Sequence, residues 1–270
     1  MSNAPEFVQI EWRSVRVSIE LQWISSERTK TPLLVFLHEG LGSVALWKVF
    51  PQRLCDAIGW RGLVYSRPGY GRSTPRDALE EWQPDFMHRQ ALEVMPPLFA
   101  ALGIMEKPWL LGHSDGASIA LLYAAHWPTA VAGLIVVAPH IFVEDLSLDS
   151  INLARKAYLK QGLRLGLAKY HDDPDSAFWG WNRIWLDPAF RDWSIADEIG
   201  TIRCPLLAAQ GEDDEYGTMQ QVLGIAQRLP QTELLTLPDC GHSPHRDQPG
   251  RLIAAIDDFL HRHHNPGDQP

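Results

Sequence analysis

Trp109-Leu110-Leu111-Gly112-His113-Ser114-Asp115-Gly116-Ala117-Ser118-Ile119-Ala120-Leu121-Leu122-Tyr123 is the stretch whose reading decides the fold. Large apolar residues lead into Gly-His-Ser-Asp-Gly, and a run with helical spacing follows at once. A buried strand, a sharp turn carrying serine between glycines, and a helix form the nucleophile elbow, G-x-S-x-G. The flanking residues are small because bulk there collides with adjoining backbone. Ser114 is then expected at the carboxyl end of a strand, with a helix N-terminus aimed at the same place and favouring negative charge on a substrate oxygen. A serine acting only as a helix N-cap is the plainer alternative. It does not account for a strand and a helix placed where the chemistry needs them.

Outward from the elbow, short apolar runs recur at Leu33–Leu37, Leu63–Tyr65, Leu134–Ala138, Leu206–Ala209 and Leu234–Leu237. Unbroken apolarity over four or five residues is the pattern of strands covered on both faces, as in a parallel sheet. Helical spacing fills the intervals Val44–Ile58, Phe86–Leu102, Ala117–Trp127, Met219–Leu229 and Leu252–Leu260. This alternation predicts an α/β domain with a mostly parallel central sheet flanked by helices. Phe7, Ile10, Val15, Val17, Ile19, Leu21 and Trp23 alternate with polar residues, which predicts an antiparallel hairpin at the sheet edge. Between 140 and 195 no strand pattern is evident, while Ile151, Ala154, Tyr158 and Leu159 keep helical spacing among Trp179, Trp181, Trp185 and Trp193. That segment reads as an inserted helical cap, leaving 1–139 and 196–270 as the core.

Composition excludes several function classes. Hydrophobic residues make up 45% and charged residues 21% of the 270 residues, enough for a sizeable core. A formal net charge of -9 without a Lys/Arg cluster argues against a nucleic-acid partner. Cys55, Cys204 and Cys240 are odd in number and widely spaced, which fits neither a disulfide framework nor a zinc site, and a reducing compartment is the simpler reading. There is no targeting pattern at the start and no run of apolar residues long enough for a membrane span, so the expectation is a cytoplasmic protein. The final His261–Pro270 segment is polar and reads as a frayed tail with solvated histidines. Oligomeric state is not legible.

A serine hydroxyl needs an adjacent base, and that base needs an acid to orient it. His242, in Asp239-Cys240-Gly241-His242-Ser243, follows an apolar strand and precedes the last helical run. His245 lacks the Gly-His context. Asp213 and Asp214 both follow the strand Leu206–Ala209, so the order Ser, acid, His is satisfied by either.

Taken together, FLHEGLGSVALW, SRPGYGRS, GHSDG, QGEDDEYG and DCGHSPH resemble the α/β-hydrolase superfamily along nearly the whole chain. The resemblance implies an eight-stranded sheet with a cap, and a serine hydrolase of the esterase-like kind. It implies Asp214 as the acid, because in similar hydrolases that residue is commonly the third after the glycine here numbered Gly211. It implies an oxyanion hole made by the backbone N–H groups of Asp115 and Gly40, the latter by similarity to a His-Gly-x-x-Gly pattern. Glu39 departs from that pattern, which has glycine at its position, and is expected to shape the pocket. The second departure is Ser66, where relatives often carry aspartate; the turn Ser66–Ser73 reads as structural, with Gly69 and Gly71 for flexibility.

Trp179, Trp181 and Trp185 are candidates for an apolar or aromatic substrate pocket over the sheet's carboxyl edge. The expected reaction is cofactor-free cleavage of an ester, lactone or similar carbonyl compound through an acyl-enzyme. Two alternatives remain open: hydrolysis of a carbon–carbon bond in a ring-cleavage product, although no tryptophan follows His242 directly, and a catalytically silent ligand-binding protein. No metal, nucleotide or flavin is implied, for neither ligand spacing nor a phosphate-cradling glycine loop is present.

Overall fold

The computed structural model describes residues 6–77 and 79–264. In chain order the elements are β1 (Glu6–Trp12), β2 (Val15–Ile24), β3 (Leu33–Leu37), α1 (Phe50–Ile58), β4 (Arg61–Tyr65), α2 (Phe86–Arg89), α3 (Met95–Ala101), β5 (Trp109–His113) and α4 (Asp115–His126). They continue as β6 (Gly133–Val137), α5 (Asp145–Lys160), α6 (Leu163–Leu167), α7 (Pro174–Trp185), β7 (Leu206–Gly211), α8 (Gln220–Arg228), β8 (Thr232–Leu237), α9 (Pro244–Asp247) and α10 (Pro249–His263). The eight strands form one sheet in the order β1-β2-β4-β3-β5-β6-β7-β8. The alternating opening stretch is the antiparallel hairpin at its edge, and β4 through β8 run parallel.

Although β3 and β5 are apolar at nearly every position, their side chains still alternate. Leu33, Val35 and Leu37 join one core layer with α4 and the helices between β6 and β7, whereas Leu34 and Phe36 join the other with α1 and α10. Helix α4 is buried from Asp115 through Ala124, as a helix apolar on all sides must be. The parallel register sets Leu37 opposite Gly112 and His113 opposite Val137, so the carboxyl ends of the central strands finish level and their loops converge.

Two expectations are corrected. The run Phe86–Leu102 is not one helix: a π-helical turn at Gln90–Val94 separates α2 from α3. Pro96 and Pro97 have no N–H to give to preceding carbonyls, and the ladder loosens ahead of them. The histidines placed in a frayed tail also belong elsewhere. His261 and His263 lie in α10, with His263 Nε2 2.7 Å from Glu233 Oε1, because the apolar stripe of that helix holds its whole length against the sheet. The rest of that tail, 265–270, lies outside the described residues.

Helices α5, α6 and α7 occupy the interval between β6 and β7. Its two ends are tied together: Ile195 N–H donates to Ile141 O at 2.8 Å, and Ser194 Oγ to the same oxygen at 3.2 Å.

Phe36 has no exposed surface and meets Trp47 edge-on at 5.8 Å between ring centroids. Phe36→Ala should lower the unfolding free energy by about 3–5 kcal/mol, the usual range for a buried phenylalanine. Urea denaturation reads this directly, and a loss under about 1 kcal/mol would show that the layer beneath β3 collapses into the space.

Candidate active site

Ser114 follows β5 directly, with φ 54° and ψ -121°, a region that non-glycine residues avoid. Its neighbours explain why the turn must be this tight. A Cβ on Gly112 would sit 2.3 Å from Gly116 O, and one on Gly116 would sit 2.2 Å from Leu37 O. Only glycines let β5, α4 and β3 approach so closely. The Ser114 N–H donates to Val137 O at 2.9 Å, locking the turn to β6.

The histidine and acid arrive by the same device. A Cβ on Gly211 would meet Cys240 O at 2.1 Å, so the loop after β7 lies directly against the loop after β8. Across that contact His242 Nδ1 is 2.8 Å from Asp214 Oδ1 and 3.0 Å from Oδ2. Asp214 also accepts from Tyr216 N–H at 2.8 Å and from Gln210 Nε2 at 3.2 Å. Burial alone would raise its pKa. The hydrogen bond from His242, that residue's charge and the Tyr216 N–H outweigh burial and hold it below the ordinary carboxylate range. Asp213, the other candidate, is exposed and contributes only its backbone N–H, donated to Cys240 O at 3.0 Å.

A carboxylate on Nδ1 requires the proton there, which leaves Nε2 of a neutral His242 as an acceptor. The loop that carries it is pinned from outside: Glu215 Oε2 accepts the His242 N–H at 3.1 Å and Asp247 Oδ2 the Gly241 N–H at 3.0 Å. Glu215 is exposed, and nothing local in the sequence marks a partner 27 positions away. His113 Nε2, from inside the elbow motif, donates to His242 O at 2.7 Å.

Glu39, expected to shape the pocket, has two charged or chargeable neighbours: Oε2 is 3.5 Å from His113 Nδ1 and Oε1 is 3.3 Å from Arg246 Nη2. His245 is buried among the rings of Trp47, Phe50 and His113, with no hydrogen-bond partner for either ring nitrogen among the described residues. Gly40 has room for no side chain, because a Cβ there would lie 2.2 Å from Trp181 Nε1. Trp181 thus covers Gly40, and Trp185, four residues on and on the same face of α7, donates Nε1–H to Asp115 Oδ1 at 3.2 Å. Trp179, about 200° around the helix from Trp181, packs against Tyr158 and Phe178 and beneath Arg155 and Arg183 instead. The place of the expected aspartate at Ser66 is filled from a distance: Glu20 of β2 accepts from Ser66 Oγ at 2.7 Å and from Arg72 N–H at 2.9 Å.

Among the described residues, no group of three or more His, Cys, Asp or Glu is arranged to hold a metal ion, and no helix is long and apolar enough to cross a membrane.

The sequence profile of the alpha/beta hydrolase family matches residues 34–256. The chain belongs to the alpha/beta hydrolase family. It is 23% identical over 236 residues to a 2-hydroxy-6-oxononadienedioate/2-hydroxy-6-oxononatrienedioate hydrolase of Comamonas testosteroni, covering 77% of this chain and 80% of that protein. It is 24% identical over 266 residues to a 2-succinyl-6-hydroxy-2,4-cyclohexadiene-1-carboxylate synthase of Serratia proteamaculans, covering 87% and 94%. Among solved structures it resembles a thermophilic esterase from Thermogutta terrifontis, with a TM-score of 0.74 at 20% identity over 96% of this chain and all of that one. That likeness is one of fold.

Four buried histidines of this alpha/beta hydrolase have pKa values lowered first of all by burial: His38, His140 to about 3, His171, and His245 to about 2. For His245 the charge of His113 adds to that lowering, while Glu39 opposes it and Arg246 and His242 add further. His140 and His245 are therefore neutral in the fold at pH ~4 and above and take up a proton on unfolding below pH ~6.5, so stability falls as pH drops below that value, by up to about 1.4 kcal/mol per pH unit for each of these two. His245→Phe, which suits the aromatic surroundings, should flatten this dependence between pH 6.5 and 4. Chemical denaturation at several pH values measures the slope, and an unchanged slope would mean that His245 is already charged in the fold.

Proposed function

We propose that the chain is a cofactor-free serine hydrolase that cleaves an ester, lactone or similar carbonyl compound through an acyl-enzyme on Ser114. The observation that carries this reading is the seating of His242 Nδ1 on both oxygens of a buried Asp214, with Ser114 held at a strained turn directly after β5. His242 Nε2 takes the Ser114 proton as the hydroxyl attacks the carbonyl carbon. Asp214 stabilises the imidazolium that forms and keeps the ring in the required tautomer. The backbone N–H groups of Gly40 and Asp115 receive the oxyanion; among the described residues neither has an acceptor of its own. His242 then protonates the leaving group and activates the water that releases the acyl group.

Residues 140–195 act as the cap, and Trp181 and Trp185 line its inner face toward an apolar or aromatic small-molecule substrate. The cytoplasm is the compartment this reading assumes, since all three cysteines are free. A second reading draws on the relatives: three of them are named as hydrolases of 2-hydroxy-6-oxo dienoic or trienoic acids. Carbon–carbon hydrolysis can use the same three residues, so the substrate panel must include such a dienoate.

Wild type is expected to hydrolyse 4-nitrophenyl esters of short or aromatic acids and to be labelled at Ser114 by a fluorophosphonate. Ser114→Ala should lose about 10³-fold or more in kcat, and Asp214→Asn about 10²- to 10⁴-fold through the wrong histidine tautomer. Preference for the dienoate over every ester would move the assignment to carbon–carbon hydrolysis. Silence on all substrates with Ser114 unlabelled would make the chain a ligand-binding member of the family.

A further inference from the structure

The turn Ser66–Ser73 reads in sequence as structural, yet its Arg67 is a cation with no exposed surface, placed behind both candidate oxyanion donors. Arg67 Nη2 donates to the carbonyl oxygen of Glu39 at 2.8 Å, and Nη1 lies 4.0 Å from Asp115 Oδ2. The Glu39 carbonyl is the far end of the peptide unit whose N–H belongs to Gly40. The same oxygen also accepts from His38 Nδ1 at 2.7 Å and from Gly42 N–H at 3.0 Å. His38 Nε2 accepts the Arg67 N–H at 3.0 Å, so its ring proton resides on Nδ1 and the ring is a neutral donor.

We propose that Arg67 is the positioning residue of the oxyanion hole, polarising and orienting the Glu39–Gly40 peptide while supplying the counter-charge for Asp115. This rests on the serine-hydrolase reading. In a planar trans peptide the N–H points opposite to the C=O. Three donors converging on the Glu39 oxygen fix the plane of that peptide, and with it the direction of the Gly40 N–H, away from Arg67. A charge-assisted hydrogen bond to the carbonyl draws electron density from the amide and strengthens its N–H as a donor.

The second donor carries a difficulty of its own, because the N–H of Asp115 comes with a carboxylate beside the forming oxyanion. Burial pushes that carboxyl up to about 6, against the pull of Arg67 and of the Trp185 hydrogen bond. Arg67 restores local neutrality: one arm is hydrogen-bonded to the loop after β3, and the other faces the carboxylate at the start of α4 at ion-pair distance. Tyr70 packs 4.7 Å from the guanidinium carbon and closes its remaining face. Lysine keeps the charge but lacks the planar fork that spans both partners.

The test uses the full chain carrying Arg67→Lys, Arg67→Gln or Asp115→Asn, each checked by thermal melting. Three quantities are read: kcat and KM for a 4-nitrophenyl ester, affinity for a trifluoromethyl ketone of the same acyl type, and the pKa of the hemiketal oxyanion by ¹⁹F NMR. Removing an oxyanion donor outright costs ~10²- to 10³-fold, so weakening one should lower kcat about tenfold in Arg67→Lys and somewhat more in Arg67→Gln, with KM unchanged. Ketone affinity should fall by the same factor and the oxyanion pKa should rise. Asp115→Asn removes the opposing charge and should lower that pKa, which keeps the proposal testable if the Arg67 variants do not fold. A raised KM with unchanged kcat and oxyanion pKa, or no pKa change in Asp115→Asn, overturns the proposal and leaves Arg67 a packing residue. A wild type that neither turns over an ester nor is labelled at Ser114 overturns the hydrolase reading instead, and this inference with it.

Discussion

Backbone lying directly on backbone is the constraint from which the site is built. At Gly112, Gly116 and Gly211 a single Cβ would fall within about 2.3 Å of a carbonyl oxygen on a neighbouring segment. Those contacts bring β3, β5 and α4 together at the elbow, and join the loops after β7 and β8 beneath His242. Ser114 accepts an unfavourable φ because the strand, the helix and the Val137 hydrogen bond leave its backbone no other course. The strain is held by packing that spans the whole sheet, and so the geometry of the candidate site is inseparable from the core.

The second consequence of such close packing is that polar groups enter the interior and must find partners there. Arg67, His38, Asp115 and His113 are almost completely buried around the elbow. Arg67 and His38 meet at the Glu39 carbonyl, His113 donates to the His242 carbonyl, and Asp115 accepts from the Trp185 indole. In a low-dielectric interior such bonds are strong, and a missing partner is correspondingly destabilising. The polar layer therefore does two things at once. It keeps the loops in register, and it sets the local charge seen by an oxygen bound near Ser114.

Helix α7 ties the insertion between β6 and β7 into this layer. Trp181 covers Gly40 and Trp185 reaches Asp115, so two residues of one helical face touch both sides of the proposed oxyanion hole. Movement of that helix would alter pocket shape and elbow electrostatics together. Trp179, on the opposite face, helps build the outer surface of the insertion and has no such link to the elbow.

Periodicity and motif spacing alone determined the alternation of strands and helices, the edge hairpin, the elbow at Ser114 and the candidate base at His242, because each rests on residues within a few positions of one another. Asp214 needed family resemblance at that level, since Asp213 fits the same spacing; the fold separates them by burying one carboxylate against His242 and leaving the other in solvent. The break ahead of Pro96 was not drawn from the spacing of Phe86–Leu102, although the two prolines explain it, and the length of α10 depended on the sheet it packs against. Partners joined across the sheet were decided by tertiary structure: Arg67 with Glu39 and Asp115, Glu20 with Ser66, Glu39 with His113 and Arg246. Hydrogen bonds act over about 3 Å, and the residues that make them here are brought to that distance only when eight strands have found their order.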